Sequence, residues 1–365
     1  MDVELLAVGA ALPAYKIHQE DALALVQRIC CTDDRQRRLA KVLYQHACVD
    51  ARHSVLPLAE ADRWAPNGAL QADGSPNLGP STEVRMEYYR EHALPLAHRA
   101  SQQALDRSGC QPGDVTHIVT ASCTGFTAPG VDLGLIDRLK LAPTTQRVHV
   151  GYMGCHGAIN ALRVAHGLAH ADVHNRVLVC AVELCTLHYA FQWNSERMLG
   201  NALFADGAGA VLLGIGGNSR DDAHRRWRIA ATGSYLFPGT ADAMSWSVGN
   251  HGFVMAISTE LPRLIQENLG AWLPSWLALH GVGVSDVKAW AVHPGGPRII
   301  EAVESAMGLR HEQTIVSREV LATHGNMSSA TVLFILQSLL ERGAQPPCVM
   351  LGFGPGLVAE VALFT

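Results

Sequence analysis

Apolar residues follow two different periods along this chain, and their alternation predicts the fold class. Strand-length apolar runs stand at residues 4–11 (ELLAVGAA, closed by Pro13), 114–123 (DVTHIVTASC), 147–150 (RVHV), 176–184 (RVLVCAVEL), 286–293 (DVKAWAVH), 348–353 and 357–364. Residues 176–184 are almost continuously apolar, as strands buried on both faces are. Elsewhere apolar residues recur every three or four positions, over 18–30, 35–46, 81–108, 131–139, 158–170, 259–280, 298–307 and 331–340, which predicts helices. Residues 56–80 hold Pro66-Asn-Gly68 and Asp73-Gly-Ser-Pro76, and they predict a surface loop. Residues 202–214 read as a small-residue turn feeding a strand, and 227–232 and 245–257 as further strands.

The polar stretch 217–226 divides the chain into two halves, 1–216 and 217–365. Each half sets a buried strand before a small-residue turn and a helix. One helix opens Gly-Cys155-His-Gly-Ala, the other Gly-Asn326-Met-Ser-Ser-Ala. The shared pattern predicts an α/β protein of two βαβ-type halves, related by a pseudo-twofold and packed as helix and sheet layers.

Composition narrows the partners. A net charge of -5 over 365 residues provides no basic field, so neither nucleic acid nor an anionic membrane is the expected partner. No apolar run reaches the ~20 residues of a membrane helix. The nine cysteines form no CxxC pair, and Met1-Asp-Val-Glu-Leu-Leu lacks the charged and apolar regions of a secretory signal. A cytoplasmic setting with free thiols is therefore expected. Arg35, Arg37, Arg38 and Lys41 cluster on one predicted helix, either as a solvated face or as an anchor for a phosphorylated cofactor tail. His166, His170 and His174 recur at four-residue spacing without a nearby carboxylate or thiol at matching spacing, and they read as a solvated face, not a metal site.

Three polar residues stand at the ends of predicted core elements. Cys155 lies at a strand-to-helix turn between Gly154 and Gly157, where free N–H groups and the helix dipole favour a thiolate. His293 ends a strand before Pro294-Gly-Gly296-Pro297, and Asn326 opens a helix. Singly, these read as a buried turn cysteine, a core histidine and a helix cap. Together they suit thioester chemistry. A thiol accepts an acyl group, an imidazole supports the thiolate as an ion pair, and imidazole and carboxamide both donate to a developing enolate oxygen.

At these residues the chain resembles the type III polyketide synthases, the chalcone and stilbene synthase group of the thiolase superfamily. Ala291-Val-His293-Pro-Gly-Gly-Pro297 is similar to that family's histidine motif, and Gly325-Asn326-Met-Ser-Ser-Ala-Thr-Val-Leu-Phe-Ile-Leu336 to its asparagine motif. Gly352-Phe-Gly-Pro-Gly-Leu357 is similar to its carboxy-terminal signature, and Gly154-Cys155, Ala202-Leu-Phe204-Ala-Asp-Gly and Ser122-Cys-Thr-Gly125 fit in order. The resemblance implies a thiolase-like layered αβαβα fold and a homodimer acting on CoA thioesters, malonyl-CoA and an acyl-CoA starter, with no cofactor or metal. It implies Cys155 as nucleophile, with His293 and Asn326 driving decarboxylation of malonyl-CoA. Phe204 and Met255 match gatekeeper positions, Ser328 a cavity-shaping position, and Cys123 a position where bacterial members carry Cys. Gly295, Gly296 and Pro297 match the CoA tunnel, and Lys41 and Arg38 are candidates for the CoA phosphates.

The chain departs from plant members at several places. His188 and Trp246 stand where those have small cavity residues, Met255 replaces an aromatic gatekeeper, and Ala128 replaces a Met that reaches across the dimer. The bulk of His188 and Trp246 leads to the expectation of a small or redirected cavity, whereas a pliable Met255 favours an alkyl chain. A ketoacyl-ACP synthase III-like enzyme would also use Cys, His and Asn, but typically has Gln after the His, where this chain has Pro294. A non-catalytic thiolase-fold protein predicts a degraded triad, whereas all three residues are present.

Overall fold

A computed structural model describes residues 2–216 and 227–365, so the polar connector expected at 217–226 lies outside the described residues. The first half runs β1 (Glu4–Ala11), β2 (Tyr15–His18), α1 (Gln19–Ile29), α2 (Asp34–His46), β3 (Ala51–Ser54), α3 (Leu58–Trp64), α4 (Thr82–Ser108), β4 (His117–Ser122), α5 (Val131–Arg138), β5 (Gln146–Gly151), α6 (Gly157–Ala171), β6 (Arg176–Leu184), α7 (Ser195–Leu203) and β7 (Asp206–Gly214). The second half runs β8 (Ile229–Leu236), β9 (Met244–Gly249), β10 (Gly252–Ile257), α8 (Leu261–Leu279), β11 (Ala289–Val292), α9 (Pro297–Met307), α10 (Ile315–His324), α11 (Thr331–Glu341), β12 (Cys348–Gly354) and β13 (Val358–Phe364).

Side-chain alternation along the strands builds the layers. On β6, Val177, Val179 and Ala181 face one apolar cluster while Leu178, Cys180 and Val182 face another. On β12, Cys348 and Met350 face the first cluster while Val349, Leu351 and Phe353 face a third. The first cluster therefore lies between two sheets, filled by Ile159, Leu162 and Ala165 of α6 and Leu333, Ile335 and Leu336 of α11. Helix α4 covers the outer face of one sheet and α8 with α9 that of the other. The result is the layered αβαβα thiolase-like architecture. Truncating a middle-layer side chain such as Leu333 to Ala costs about 2–5 kcal/mol, because surrounding side chains close such a cavity only in part.

The two sheets repeat one topology. The first has order β1-β7-β6-β4-β5 and the second β11-β12-β13-β8. In each, an antiparallel trio (β1, β7, β6 or β8, β13, β12) continues into a parallel strand, β4 or β11. Among the described strands only the first sheet adds an outer parallel strand, β5. The equivalence makes α6 and α11 counterparts, each opened by a single 3-10 turn, Gly154–His156 and Ser328–Ala330.

Two expectations need correction, and one helix is added. The loop at 56–80 contains α3. A two-stranded β2–β3 sheet forms beside α1, so residue 18 ends a strand instead of starting a helix. Helix α7 precedes β7 in a stretch to which the sequence assigned no element before the turn at 202, and the Asn194 side chain caps it by accepting from the N–H groups of Glu196 and Arg197. With α1, α2 and α3, α7 forms a side lobe cored by Tyr44, Phe191 and Met198. Helix α6 ends at Ala171, so His174 falls beyond the face shared by His166 and His170.

Candidate active site

Cys155 sits in the 3-10 turn that opens α6, and two backbone features shape that turn. Gly154 has φ +67°, and a Cβ there would lie 2.5 Å from Cδ of Pro355, in the turn after β12. The nucleophile turn of the first half is thus pressed against the second half. The Cys155 thiol meets the Ser328 hydroxyl at 3.7 Å and the side-chain amide of Asn326. Burial pushes this thiol up to about 11; the Ser328 and Asn326 donors pull it back, and the Glu183 carboxylate adds to the rise. Burial at the ligand-free site thus opposes the thiolate that the helix terminus favours.

Asn326 follows α10 after Gly325, which has φ +74°. Its N–H donates to the Leu203 carbonyl at 2.8 Å, and its own carbonyl accepts from Ala205 N–H at 2.9 Å. The two bonds pair Asn326 with Phe204 in a parallel bridge. The carboxamide oxygen accepts from Ser328 N–H at 2.9 Å, leaving the NH2 group to donate toward the sulfur.

His293 continues β11, its N–H donating to the Leu351 carbonyl at 2.8 Å. Its side chain is 1% exposed, and neither ring nitrogen has a hydrogen-bond partner. Burial, with a smaller contribution from neighbouring His156, lowers this imidazole to about 3. It is therefore neutral near pH 7, with one N–H to donate and one bare nitrogen to accept. Such unpartnered buried polar atoms are rare and ask for a ligand.

Cys155 lines an apolar cleft whose empty space, its open mouth included, is about 1040 Å3, while Asn326 stands beside Cys155 and His293 beside His156 of the same turn. Cys155 shares the cleft lining with Phe204, Met255, Cys123, His188, Trp246 and Ser328, every cavity position singled out in the sequence. Met255 pairs with Trp246 across the β9–β10 hairpin. His188 is a fixed strut in the wall: Nδ1 accepts from Phe253 N–H at 3.0 Å, so the proton is on Nε2, which donates to the Thr124 carbonyl at 2.7 Å. Its ring stacks on Phe253 at 4.1 Å, and Phe253 in turn stacks on Trp246 at 5.1 Å. Burial pushes His188 down to about 3, which keeps this neutral form.

The CoA candidates are placed differently. Arg38 and Lys41 are exposed on α2, which packs on α7, and neither lines the cleft. Gly295, Gly296 and Pro297 open α9, with the Gly296 backbone against Leu203, and they too are outside the cleft lining.

Two buried groups escaped the sequence reading. Glu183 on β6 is 0% exposed and accepts from the Thr124 and Ser329 hydroxyls and from Cys123 N–H, while the Cys123 thiol lies 3.4 Å from its carboxylate and 3.1 Å from the Ser328 hydroxyl. Burial raises this carboxyl above its usual range. A lone carboxylate in the apolar run RVLVCAVEL was the available signal. Arg52 on β3 is also fully buried, and nothing in ARHS marked it. Among the described residues no group of three His, Cys, Asp or Glu side chains is arranged to hold a metal ion, and no helix is long and apolar enough to cross a membrane.

Comparison with known proteins agrees over the full chain. Residues 2–217 match the model of the chalcone and stilbene synthase N-terminal domain, and residues 228–365 that of the C-terminal domain. The chain is 30% identical to the alpha-pyrone synthesis polyketide synthase-like Pks18 of Mycobacterium tuberculosis, over 99% of this chain and 90% of that protein. It is 32% identical to the 1,3,6,8-tetrahydroxynaphthalene synthase of Streptomyces peucetius, over 98% and 91%. Its structure superposes on that of PKS-I from the brown alga Ectocarpus siliculosus with a TM-score of 0.90 and 30% identity, covering 100% of this chain and 98% of the other. The chain belongs to the chalcone and stilbene synthase family, the type III polyketide synthases, which are acyl-transferring condensing enzymes of the thiolase fold.

Proposed function

We propose that this synthase loads an acyl group from a CoA thioester onto Cys155 and extends it with malonyl-CoA in repeated decarboxylative Claisen condensations, then closes the chain to a pyrone, resorcinol or phloroglucinol-type ring. The observation that carries the reading is His293, buried beside the nucleophile turn with both ring nitrogens unpartnered, while the Asn326 amide reaches the Cys155 sulfur.

In loading, the Cys155 proton passes to the bare nitrogen of His293 as the sulfur attacks the starter carbonyl. The departing CoA sulfur takes that proton back. In extension, the malonyl thioester oxygen accepts from a His293 N–H and from the Asn326 amide. The bond to the carboxylate breaks, CO2 leaves, and the electron pair enters the enolate. The enolate carbon attacks the acyl group on Cys155 and expels the sulfur, leaving a β-ketoacyl-CoA. A neutral His293 suits both steps, and each donor is worth about 2.7–4 kcal/mol of barrier. No step calls for a metal or an organic cofactor.

Arg38 and Lys41 carry no ion pair among the described residues, which supports a role in holding CoA phosphates. Gly296 stands against Leu203 at the end of α7, and Gly295, Gly296 and Pro297 would border the pantetheine arm. A homodimer belongs to the same reading, supported by the outer edge strand β5, where Val148 is exposed next to exposed Tyr152 and Met153.

The test is mass spectrometry of products from the purified chain with malonyl-CoA and a panel of acyl-CoA starters, beside Cys155→Ala. Pyrones, resorcinols or phloroglucinols from the wild type alone are expected. Condensation only after malonyl carrier protein replaces malonyl-CoA would overturn the CoA-direct reading.

A further inference from the structure

Arg52 is a fully buried cation with no carboxylate within ion-pair distance among the described residues. Its guanidinium instead donates to three carbonyls at one place: Asn201 at 2.7 Å, Ala202 at 2.6 Å and Phe204 at 2.9 Å. Asn201 and Ala202 belong to the last turn of α7, and Phe204 is its C-cap. Helix ends leave such carbonyls without intrahelical donors, and their combined dipole is negative, so a planar fork of N–H groups answers both needs. Tyr189 Oη at 3.3 Å and the Gln19 side-chain oxygen complete its partners, and the cation lies 6.0 Å from the centre of the Tyr44 ring. Gln19 reinforces the cap by donating to the Ala202 carbonyl at 3.1 Å.

The capped segment is the one that holds Asn326. Residues 203 and 205 make both backbone hydrogen bonds of Asn326, and a Cβ on Gly325 would lie 2.9 Å from Ala205 Cβ, 3.0 Å from the Leu203 carbonyl and 3.4 Å from Arg52 Cβ. Between those two bonds stands Phe204, whose ring lines the cleft. The amide at the sulfur and the aromatic ring at the cleft wall are therefore mounted on one strip of backbone, and Arg52 ties that strip to the β2–β3 sheet.

We propose that Arg52 is a positioning residue for the condensation: by clamping the end of α7 it sets where the Asn326 amide and the Phe204 ring stand relative to Cys155. The proposal rests on the reading of Asn326 as a donor to the thioester oxygen. Arg52 itself touches no substrate. Its loss moves the donor, while the thiol, held on α6 and against Pro355, stays in place.

The experiment is a double-mutant cycle on malonyl-CoA decarboxylation to acetyl-CoA, with the full chain as wild type, Arg52→Gln, Asn326→Ala and Arg52→Gln/Asn326→Ala, with Arg52→Lys beside them. Arg52→Gln is expected to lower kcat about 10–100-fold with KM within about threefold, since a misplacement of about 1 Å costs that much. Arg52→Lys, which retains the charge but not the fork, is expected to recover part of the loss. The double variant is expected to match Asn326→Ala within about threefold, because both changes remove one interaction. Alkylation of Cys155 by iodoacetamide is expected to keep its wild-type rate, which general loosening of the fold would not allow. A wild-type kcat in Arg52→Gln, or a double-variant loss equal to the product of the single losses, overturns the proposal. Should Arg52→Gln fail to fold, the cycle is run with Arg52→Lys and the same criteria hold. A wild-type rate in Asn326→Ala instead overturns the reading of Asn326 itself, which separates the two failures.

Discussion

The turn before α6 and the turn before α11 occupy equivalent places in the repeated topology, yet they are held by different forces. The Cys155 turn is held by shape: Gly154 takes a left-handed conformation so that Pro355 of the other half packs directly on its backbone. The Asn326 turn is held by polarity: two backbone hydrogen bonds to residues 203 and 205 of the other half fix it, with Arg52 behind them. In both cases the other half completes the turn, so neither half contains a working site. The difference matches the tasks. A nucleophile needs a stable place from which to attack. A donor to a developing enolate needs its direction fixed within a fraction of an ångström, and hydrogen bonds fix direction better than packing does.

Cys155→Ala gives the largest expected effect. It removes the group that carries the growing chain, and condensation products should vanish in the mass spectrum. Residual decarboxylation of malonyl-CoA should remain, because His293 and Asn326 still meet the thioester oxygen. If decarboxylation vanishes along with condensation, the division of labour between the two turns is wrong.

Asn326→Ala attacks the other turn. It should cut the kcat of malonyl-CoA decarboxylation by about 10²–10³, the usual cost of one oxyanion donor. A loss under threefold would mean that His293 alone supports the enolate.

The pH dependence of thiol reactivity sharpens the comparison. With the Cys155 thiol pushed up to about 11 from an ordinary 9.0, the thiolate fraction of the free enzyme should climb about tenfold per pH unit through pH 7–10. Iodoacetamide labelling followed by peptide mass spectrometry reads that slope. A flat profile across this range would instead reveal a resting ion pair with His293.

The glycines give the smallest effects. Gly154→Ala and Gly325→Ala each force a side chain into a left-handed backbone and against the other half, which should cost about 1–3 kcal/mol of stability in urea unfolding. Only Gly325→Ala should also slow decarboxylation, since only that turn orients a donor. Equal activity losses in the two variants would erase the distinction between a packed and a hydrogen-bonded turn.

Much of this was legible beforehand because the informative signals were local. Strands such as RVLVCAVEL announce themselves by continuous apolar character, and the three polar residues stood out at strand or helix ends beside glycine. Helix α7 was missed because its nine residues, SERMLGNAL, open with a polar cap and bury only four positions, too few for a clear period. The lobe strands β2 and β3 are four residues each, below the length at which alternation can be recognised. Arg52 carried no local signal, since its role is defined by carbonyls about 150 positions away.

By itself the sequence determined the elements, their layered class and the identity of the groups that do chemistry, since period, glycine placement and residue type act over a few neighbouring positions. Tertiary structure alone decided how those groups behave. Burial pushes the Cys155 thiol up, against the pull of the helix terminus, and the His293 imidazole down, because desolvation depends on everything packed around a group and not on its neighbours in the chain. It also decided that each half braces the other's turn, a relation between residues as far apart as Gly154 and Pro355 that no local pattern encodes.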